Sequence, residues 1–352
     1  MICFPQRDEQ TTKDKRFASI SITLTVATVL LVASLHIATL ATPAGPALSA
    51  RPTHASHPMV PVSVTDRTAM GTTLSSLGCP LSPTQCLASL NWGGYAVCVP
   101  QADCSTLTAA PASVTDVKGS WVVPAVQGSY GYGSGYGNGY GSGTTCQDSQ
   151  KIWYDMADWI GIDGFVSPSV EQTGTSSDCY YGQTYYYAWY EFYPLPSVTI
   201  SSITVHPGDT MTAEVSYSGG LFTTTITDMS THQSYTSPAT AVPGAETDSA
   251  EWIAESAAYE VCPVCIGFLS LTPVNQVAFS GATATIGGVT NTISGWAPDV
   301  YWLLMVDFNF GLNQETGVAT PSTATLAYAK AIPQPLGYRG DEFNVNWLSS
   351  GP

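Results

Sequence analysis

The stretch Tyr-Tyr-Tyr-Ala-Trp-Tyr-Glu-Phe-Tyr at residues 185–193 points to the fold more directly than any other part of this sequence. Aromatic residues of this kind are enriched in β-strands, and successive side chains of an extended strand point to opposite faces of the sheet. Trp189 and Glu191 therefore share one face, whereas Ala188 and Phe192 share the other. We expect one face to pack in a hydrophobic core. The face with Trp189 and Glu191 either lines a binding groove or is an ordinary solvated face of the sheet.

Similar short runs occur on both sides of this stretch. They are rich in Val, Ile, Thr, Tyr and Trp, and clusters of Gly, Pro, Asp and Ser separate them at intervals of roughly ten residues. The clearest examples are Ser120–Val123, Trp159–Ile162, Val198–Val205, Thr210–Tyr217 and Phe343–Trp347. No long amphipathic helix is predicted after Leu90. The pattern predicts an all-β fold, a sandwich or barrel of antiparallel strands, and a length of about 260 residues suits one large two-sheet domain.

The composition narrows the possible functions. The chain has 352 residues, and 26 acidic against 10 basic residues give a formal net charge of −16. Such a surface repels nucleic-acid phosphates and anionic lipids, so we expect no nucleic-acid partner and no stable membrane contact beyond the N-terminal segment. Asp and Glu titrate at about 3.9 and 4.3, so this excess of carboxylates suits an acidic environment, although it could also serve solubility alone. Only five His are present, and we expect no metal or other cofactor.

The N-terminus has the features of a secretory signal. Basic residues within positions 1–16 precede Phe17–Thr42, which contains no charged residue, and small residues follow. An uncleaved signal anchor is the alternative, and both would export the rest of the chain. We therefore predict a signal peptide or signal anchor at 1–42, a Pro-, Ser- and Thr-rich linker or pro-segment at 43–90, and a β-sandwich domain at 91–352. The protein would be secreted, or tethered to the membrane if the signal is not cleaved.

Cysteine usage agrees with export. Beyond Cys3 the chain has eight cysteines, an even number that predicts up to four disulfides. The close neighbours that suit local bridges are Cys79 with Cys86 and Cys98 with Cys104.

One low-complexity stretch interrupts the strand pattern. In Gly128–Gly143, glycine occupies nearly every other position, with Tyr, Ser and Asn between. So much glycine is entropically costly to order and packs no core. We expect a flexible surface loop, and the alternative is a Tyr-bearing flap over a substrate groove.

Several familiar catalytic motifs are absent from the sequence. It contains no Gly-x-Ser-x-Gly, no His-Glu-x-x-His and no Asp-Thr/Ser-Gly. The remaining candidates are carboxylates and amides carried on strands. In Ser249–Glu255, a period of two places Glu251, Ile253 and Glu255 on one face. Burying two carboxylates in a core costs free energy, whereas a solvated groove can accommodate them.

Six motifs, taken in order, resemble a known family. They are Asn91-Trp92-Gly93-Gly94-Tyr95, Gly119-Ser120-Trp121-Val122-Val123-Pro124, Trp159-Ile160-Gly161-Ile162-Asp163-Gly164, Glu171-Gln172-Thr173-Gly174, Ala188-Trp189-Tyr190-Glu191-Phe192-Tyr193-Pro194 and Ala250-Glu251-Trp252-Ile253-Ala254-Glu255. Together they resemble the glutamic peptidases, also called eqolisins or peptidase family G1. The resemblance implies a β-sandwich of two curved antiparallel sheets, similar to the concanavalin-like jelly roll of legume lectins. It also implies a secreted acid endopeptidase that is made with an N-terminal pro-segment.

The resemblance also implies a catalytic pair. The family's glutamine matches Gln172, and its catalytic glutamate matches Glu255 rather than Glu251. In such a pair the glutamate would activate water and later protonate the leaving nitrogen, while the amide would stabilise the oxyanion. The residues predicted to shape the groove or orient the pair are Trp92, Trp159, Asp163, Trp189, Glu191 and Glu251. Ser256-Ala257 depart from the family's pattern, in which Asp-Phe follows the catalytic glutamate.

Partners follow from the same resemblance. It predicts protein or peptide substrates and a monomer without a cofactor. The alternative is a catalytically silent, lectin-like carbohydrate-binding module on the same sandwich, because aromatic and acidic groups also suit a glycan. The pairing of Gln172 with Glu255 distinguishes the two, since a lectin does not need it.

Overall fold

The structure is a computed structural model that describes residues 2–3, 57–62, 67–99, 114–127, 153–180, 182–262, 265–307 and 329–351. The predicted signal segment beyond Cys3 and the Gly128–Gly143 stretch lie outside these residues. The strands are β1 Ile2–Cys3, β2 Cys86–Ser89, β3 Trp92–Cys98, β4 Val114–Val122, β5 Trp153–Asp155, β6 Ala157–Ile162, β7 Val170–Tyr180, β8 Gln183–Tyr193, β9 Val198–Ile200, β10 Thr210–Ser218, β11 Leu221–Asp228, β12 Ser234–Thr236, β13 Ser249–Glu255, β14 Ala258–Cys262, β15 Cys265–Phe268, β16 Ser270–Leu271, β17 Gln276–Ile286, β18 Val289–Thr292, β19 Val300–Val306, β20 Ala329–Pro333 and β21 Phe343–Trp347. The helices are α1 Arg67–Ser76 and two short 3₁₀ turns, Pro83–Gln85 and Ile293–Trp296.

The strands form two packed layers. The first layer runs in the order β2-β19-β3-β13-β6-β7-β8-β9. The second runs β12-β11-β10-β4-β17-β21, with β18 hairpinned onto β17. Strand β20 pairs with both β19 and β21 and so joins the layers at one edge. Most pairings are antiparallel, and β2 with β19 is a parallel exception. The predicted all-β sandwich is confirmed.

The main hydrophobic core lies between the two layers. It includes Trp252 of the first layer and Trp121 and Phe279 of the second, all nearly inaccessible to water. Strand β10 alternates buried and accessible residues, as expected for a strand with one core face and one solvent face. Truncating a buried aromatic residue such as Trp252 to alanine typically costs about 3–5 kcal/mol.

The first layer is also buried on its outer face. All seven residues of β13 and all six of β6 are buried, unlike those of β10. A second apolar cluster covers this outer face and includes Trp92, Trp159 and Trp189. The predicted alternation is confirmed in β8, where Ala188 and Phe192 join the inter-layer core while Trp189 joins the outer cluster. The outer face of the first layer is therefore where the candidate residues gather.

One predicted strand is shorter than the sequence pattern suggests. The run Val198–Val205 forms a strand only over Val198–Ile200, after which the chain turns. Ile203 and Val205 are nevertheless buried in the inter-layer core. The apolar residues at the end of this run are therefore buried in a turn and not in a continued strand.

The chain before Asn91 also packs on the sandwich. Strand β2 pairs with β19, and Pro61 forms an isolated bridge with Ser89. The predicted Cys79–Cys86 disulfide is confirmed, with 6.1 Å between the Cα atoms. Cys98 is also disulfide-bonded, but Cys104 lies outside the described residues, so the pairing of these two stays a prediction. Within the described ranges, no helix is long and apolar enough to cross a membrane.

Candidate active site

Strand register places Gln172 and Glu255 on the same face of the first layer. Residues directly opposite each other in neighbouring strands project to the same side of a sheet. Three successive rows across β13, β6, β7 and β8 are Glu251–Gly161–Gln172–Glu191, Ile253–Trp159–Gly174–Trp189 and Glu255–Ala157–Ser176–Tyr187. Gln172 lies in the first row and Glu255 in the third, with Trp159 in the row between them.

Glu255 is a fully buried carboxylate surrounded by N–H donors. The indole Nε1 of Trp159 donates to its Oε2 at 2.8 Å, and the side-chain Nδ2 of Asn91 donates to its Oε1 at 3.3 Å. The backbone N–H of His57 also donates to Oε1, at 3.3 Å. Donors of this kind stabilise negative charge on a carboxylate and fix the direction of its lone pairs. The group is therefore oriented for chemistry despite its burial.

The side-chain amide of Gln172 is held by a residue of the neighbouring strand β8. Its Nε2 donates to Oε2 of Glu191 at 3.0 Å, and both residues are buried. Its Oε1 is buried without a hydrogen-bond partner among the described residues. An amide carries two N–H donors and one oxygen acceptor. Glu191 therefore holds the amide of Gln172, and its role in orienting a catalytic pair stays a prediction.

Trp159 packs into a space that two glycines leave open. A Cβ on Gly174 would lie 2.6 Å from Cβ of Trp159, and a Cβ on Gly161 would lie 2.9 Å from Cζ3 of its ring. Trp92 meets the Trp159 ring edge to face at a centroid distance of 4.9 Å. The glycines of the Trp-Ile-Gly and Gln-Thr-Gly motifs therefore seat the indole whose N–H holds Glu255.

The carboxylate of Asp163 binds backbone N–H groups and does not line the site of Gln172 and Glu255. Its carboxylate accepts N–H bonds from Glu246 and Thr247 at 2.9 Å each and from Asp248 at 2.8 Å. Asp163 itself adopts a left-handed conformation with φ of 71°, which Asp and Asn tolerate better than other residues with a side chain. The residue therefore shapes the approach of the chain to β13.

Replacing Asp163 with alanine is expected to destabilise the fold by at least about 3 kcal/mol, because three buried N–H groups would lose their acceptor. Asp163→Asn is the matched control, since asparagine keeps an acceptor oxygen and tolerates the left-handed backbone. The measurement is the free energy of unfolding in denaturant at acid pH. Equal stability of the two variants would contradict this role.

Three further carboxyl groups gather near that of Asp163, those of Glu171, Asp248 and Glu251. Burial raises the pKa of Glu171 to about 10, with a further contribution from Asp163. Burial likewise raises the pKa of Asp248 to about 8 and that of Glu251 well above its usual value. The pKa of Asp163 is also raised by burial, although three backbone N–H bonds oppose the shift. Glu251 is therefore neutral in acid. Glu171 stands in one of the six motifs but had no predicted role, and Asp248 was not identified from the sequence.

A buried lysine lies behind the end of β13. Lys330 Nζ donates to Oγ of Ser256 at 2.9 Å and to the carbonyl of Leu269 at 3.3 Å. Burial lowers the pKa of this ammonium to about 8, although the carboxylates of Asp307 and Asp155 oppose the shift. It therefore keeps its charge in acid. Sequence reasoning missed Lys330, and it identified Ser256 only as a departure from the family pattern.

Among the described residues, no group of three or more His, Cys, Asp or Glu side chains could hold a metal ion. The outer face of the first layer carries the carboxyl groups of Glu191, Glu251 and Glu255, the amide of Gln172 and the indole N–H of Trp159.

The structure combines an antiparallel sandwich with a glutamine and a glutamate held on one aromatic face. These features are expected of the glutamic peptidases, the class that the sequence resembles. The chain belongs to the Peptidase A4 family, because that family's model matches residues 91–301. Aspergillopepsin-2 of Aspergillus niger is 35% identical over 189 residues, which are 50% of this chain and 61% of that protein. The match therefore covers 61% of the length of this curated relative.

Solved structures support the fold. Scytalido-glutamic peptidase with a transition state analog inhibitor matches at a TM-score of 0.50 and 18% identity, over 73% of this chain and 98% of that one. The same peptidase with a peptide-based transition state analog matches at a TM-score of 0.51, with the same identity and coverage. At this identity the likeness shows the sandwich alone. The family predicted from the six motifs is confirmed by the family match.

Proposed function

We propose that this protein is an acid endopeptidase in which Glu255 and Gln172 form the catalytic pair. One observation carries the proposal: the buried carboxylate of Glu255, held by Trp159 and Asn91, receives the backbone N–H of His57 from a segment of peptide. A face that accepts backbone amide groups at an oriented carboxylate suits the binding of a peptide substrate.

The proposed reaction uses one titrating group. Ionised Glu255 takes a proton from water, which attacks the peptide carbonyl, and later returns the proton to the leaving nitrogen. The amide of Gln172 donates to the developing oxyanion, while Glu191 holds that amide in place. The N–H groups of Trp159 and Asn91 that donate to Glu255 favour its ionised form. The chain's excess of carboxylates suits a reaction in acid.

Replacing Gln172 with alanine is expected to lower kcat by about 10²–10³-fold, the usual effect of losing one oxyanion donor. Gln172→Glu should also be slow in acid, because a second carboxyl group would lie opposite Glu191 and compete for a proton. The measurement is kcat for a peptide substrate, with thermal unfolding as the control for the fold. A kcat near that of the wild type in Gln172→Ala would remove this residue from the mechanism.

The test of the function is digestion of casein or haemoglobin by the purified protein across about pH 2–7, the range in which carboxyl groups titrate. Pepstatin added to a parallel reaction controls for a contaminating aspartic peptidase. Cleavage that is greatest in acid and is lost in Glu255→Gln supports the proposal. Binding of glycans without proteolysis would favour the lectin-like alternative.

The remaining features belong to the same proposal. We propose that residues 1–42 form a signal peptide or signal anchor and that the enzyme acts outside the cell, as a monomer, on protein or peptide substrates. Residues 43–90 are proposed to be a linker or pro-segment, part of which stays attached to the catalytic domain. The pairing of β2 with β19 supports retention of that part, whereas the Cys79–Cys86 bridge is local to it.

A further inference from the structure

Ser256, the first residue beyond strand β13, is bonded to the surroundings of Glu255. Its N–H donates to the carbonyl of Asn91 at 2.9 Å, and its hydroxyl donates to the carbonyl of Leu269 at 2.6 Å. Asn91 is also the residue whose Nδ2 donates to Oε1 of Glu255 at 3.3 Å. Ser256 is fully buried. Its position is therefore linked to that of the proposed catalytic carboxylate through the backbone and through Asn91.

The ammonium of Lys330 binds Ser256 from the interior of the protein. Its Nζ donates to Oγ of Ser256 at 2.9 Å and to the carbonyl of Leu269 at 3.3 Å. Lys330 is only 4% exposed. A Cβ on Gly351 would lie 3.3 Å from Cδ and from Cε of Lys330, so the backbone there covers the methylene groups of the side chain. A buried ammonium costs free energy unless it is paired, and here it bonds directly to the residue after Glu255.

A buried carboxylate binds the next residue of the same connection between β13 and β14. Oδ1 of Asp155 accepts from the N–H of Ala257 at 3.1 Å, and Asp155 is only 3% exposed. The carboxylates of Asp307 and Asp155 also oppose the fall in the pKa of Lys330 that burial causes. A cation and an anion therefore hold consecutive residues after Glu255.

Charge buried at this depth acts on its neighbours more strongly than charge at the surface, because the interior screens it less than water does. Lys330 keeps its charge in acid, because its pKa of about 8 lies above that range. Positive charge nearby favours the ionised form of a carboxyl group. The titratable groups on the outer face beside Glu255 are His57, Tyr187, Glu191 and Glu251. The negative charge of any ionised carboxyl group there would act on Glu255 in the opposite direction to that of Lys330.

We propose that Lys330 is a positioning residue for Glu255, one that acts through Ser256 and Asn91 and favours the ionised carboxylate. This inference rests on the proposed function and deepens it. The ammonium fixes the backbone from which the Glu255 side chain projects, and its charge stabilises the negative charge that a general base carries. The alternative is that Lys330 only balances buried carboxylates. That alternative predicts an effect on stability but none on the pH dependence of catalysis.

The first test is Lys330→Met, which removes the charge and keeps a long side chain. We expect kcat for a peptide substrate to fall at least about tenfold and KM to stay within about twofold, because the base is less well oriented while the substrate contacts are unchanged. The acid limb of the pH profile of kcat should move up by at least about half a pH unit, because losing the cation raises the pKa of the base. Lys118→Met is the matched control. Lys118 is half exposed in ion pairs with Asp116 and Glu214, so its removal takes the same charge from the chain and should change neither quantity.

The second test is Ser256→Ala, which keeps the charge of Lys330 and removes its side-chain partner. We expect kcat to fall about threefold to tenfold, the equivalent of one hydrogen bond, with KM and the acid limb unchanged. Circular dichroism and thermal unfolding at the assay pH show whether each variant is folded. If Lys330→Met does not fold, Ser256→Ala decides, and a kcat equal to that of the wild type would overturn the inference.

The outcomes separate this inference from the proposed function. The proposed function stands if the wild type hydrolyses the peptide in acid and Glu255→Gln does not. A folded Lys330→Met with the kcat and the acid limb of the wild type would then overturn the positioning role alone. A lower kcat with an unmoved acid limb would overturn the action of the charge on Glu255. A wild type without peptidase activity in acid overturns the proposed function and, with it, this inference.

Discussion

Replacing Glu255 with glutamine is expected to abolish peptidase activity while the sandwich stays folded. Loss of a general base typically costs about 10²–10⁴-fold in rate, and the loss is larger here because the same carboxyl group must also protonate the leaving nitrogen. Glutamine keeps the size of the side chain and an oxygen that can accept from Trp159 Nε1, which now lies 2.8 Å from Oε2. The measurement is kcat for a peptide substrate in acid, with circular dichroism and thermal unfolding to confirm the fold.

Glu251→Gln is the matched control for this prediction. Glu251 and Glu255 project from the same face of β13, but burial raises the pKa of Glu251 well above its usual value, so it is a neutral acid where the enzyme would work. Exchanging a neutral acid for an amide changes no charge. We expect activity close to that of the wild type. An inactive Glu251→Gln beside an active Glu255→Gln would reverse the assignment.

Raising the pH is expected to unfold the protein progressively, starting above about pH 4. Burial raises the pKa of Asp248 to about 8 and that of Glu171 to about 10, whereas both titrate near about 4 in an unfolded chain. The unfolded state therefore releases these protons first as the pH rises. Each group then removes about 1.4 kcal/mol of stability per pH unit until the pH passes its folded-state pKa. Their stabilisation is complete below about pH 4 and is lost through the neutral range.

The measurement is the thermal midpoint at intervals between about pH 3 and pH 8, the span from the unfolded to the folded pKa of Asp248. Asp158 adds to the same trend, because burial raises its pKa well above the usual value. Glu171→Gln, which cannot ionise, should show a smaller loss of stability across this range than the wild type. A midpoint that is constant or rises toward neutral pH would refute the prediction.

Strand faces could be predicted because they depend only on local geometry. In Ser249–Glu255 the period of two placed Ile253 and Glu255 on one face and Trp252 on the other, and the structure puts Ile253 in the outer cluster and Trp252 in the inter-layer core. The boundaries of this strand also agree. The Cys79–Cys86 bridge was predictable for a similar reason, because only six residues separate the two cysteines.

Side chains outside local patterns could not be predicted in the same way. Lys330 is one of few basic residues in the chain, and nothing around it in the sequence indicates a fully buried ammonium beside Ser256. Asp163 appeared in a matched motif, but its three backbone partners lie more than eighty residues later, with a separation of 83 for Glu246. Their contacts exist only because β6 and β13 are neighbours.

The sequence by itself therefore determined the β-rich fold, the faces of the strands at 185–193 and 249–255, the family and the pair of residues to test. Alternation, turn residues and ordered motifs are properties of short segments. They can be recognised without knowing which strands pair or in which register. Only the tertiary structure decided that His57 meets Glu255 across a separation of 198 residues, that Glu191 holds Gln172, and that four carboxyl groups share one buried region. Those contacts depend on which strands pair and in which register, and pairing is selected by the burial of the whole core rather than by any one segment.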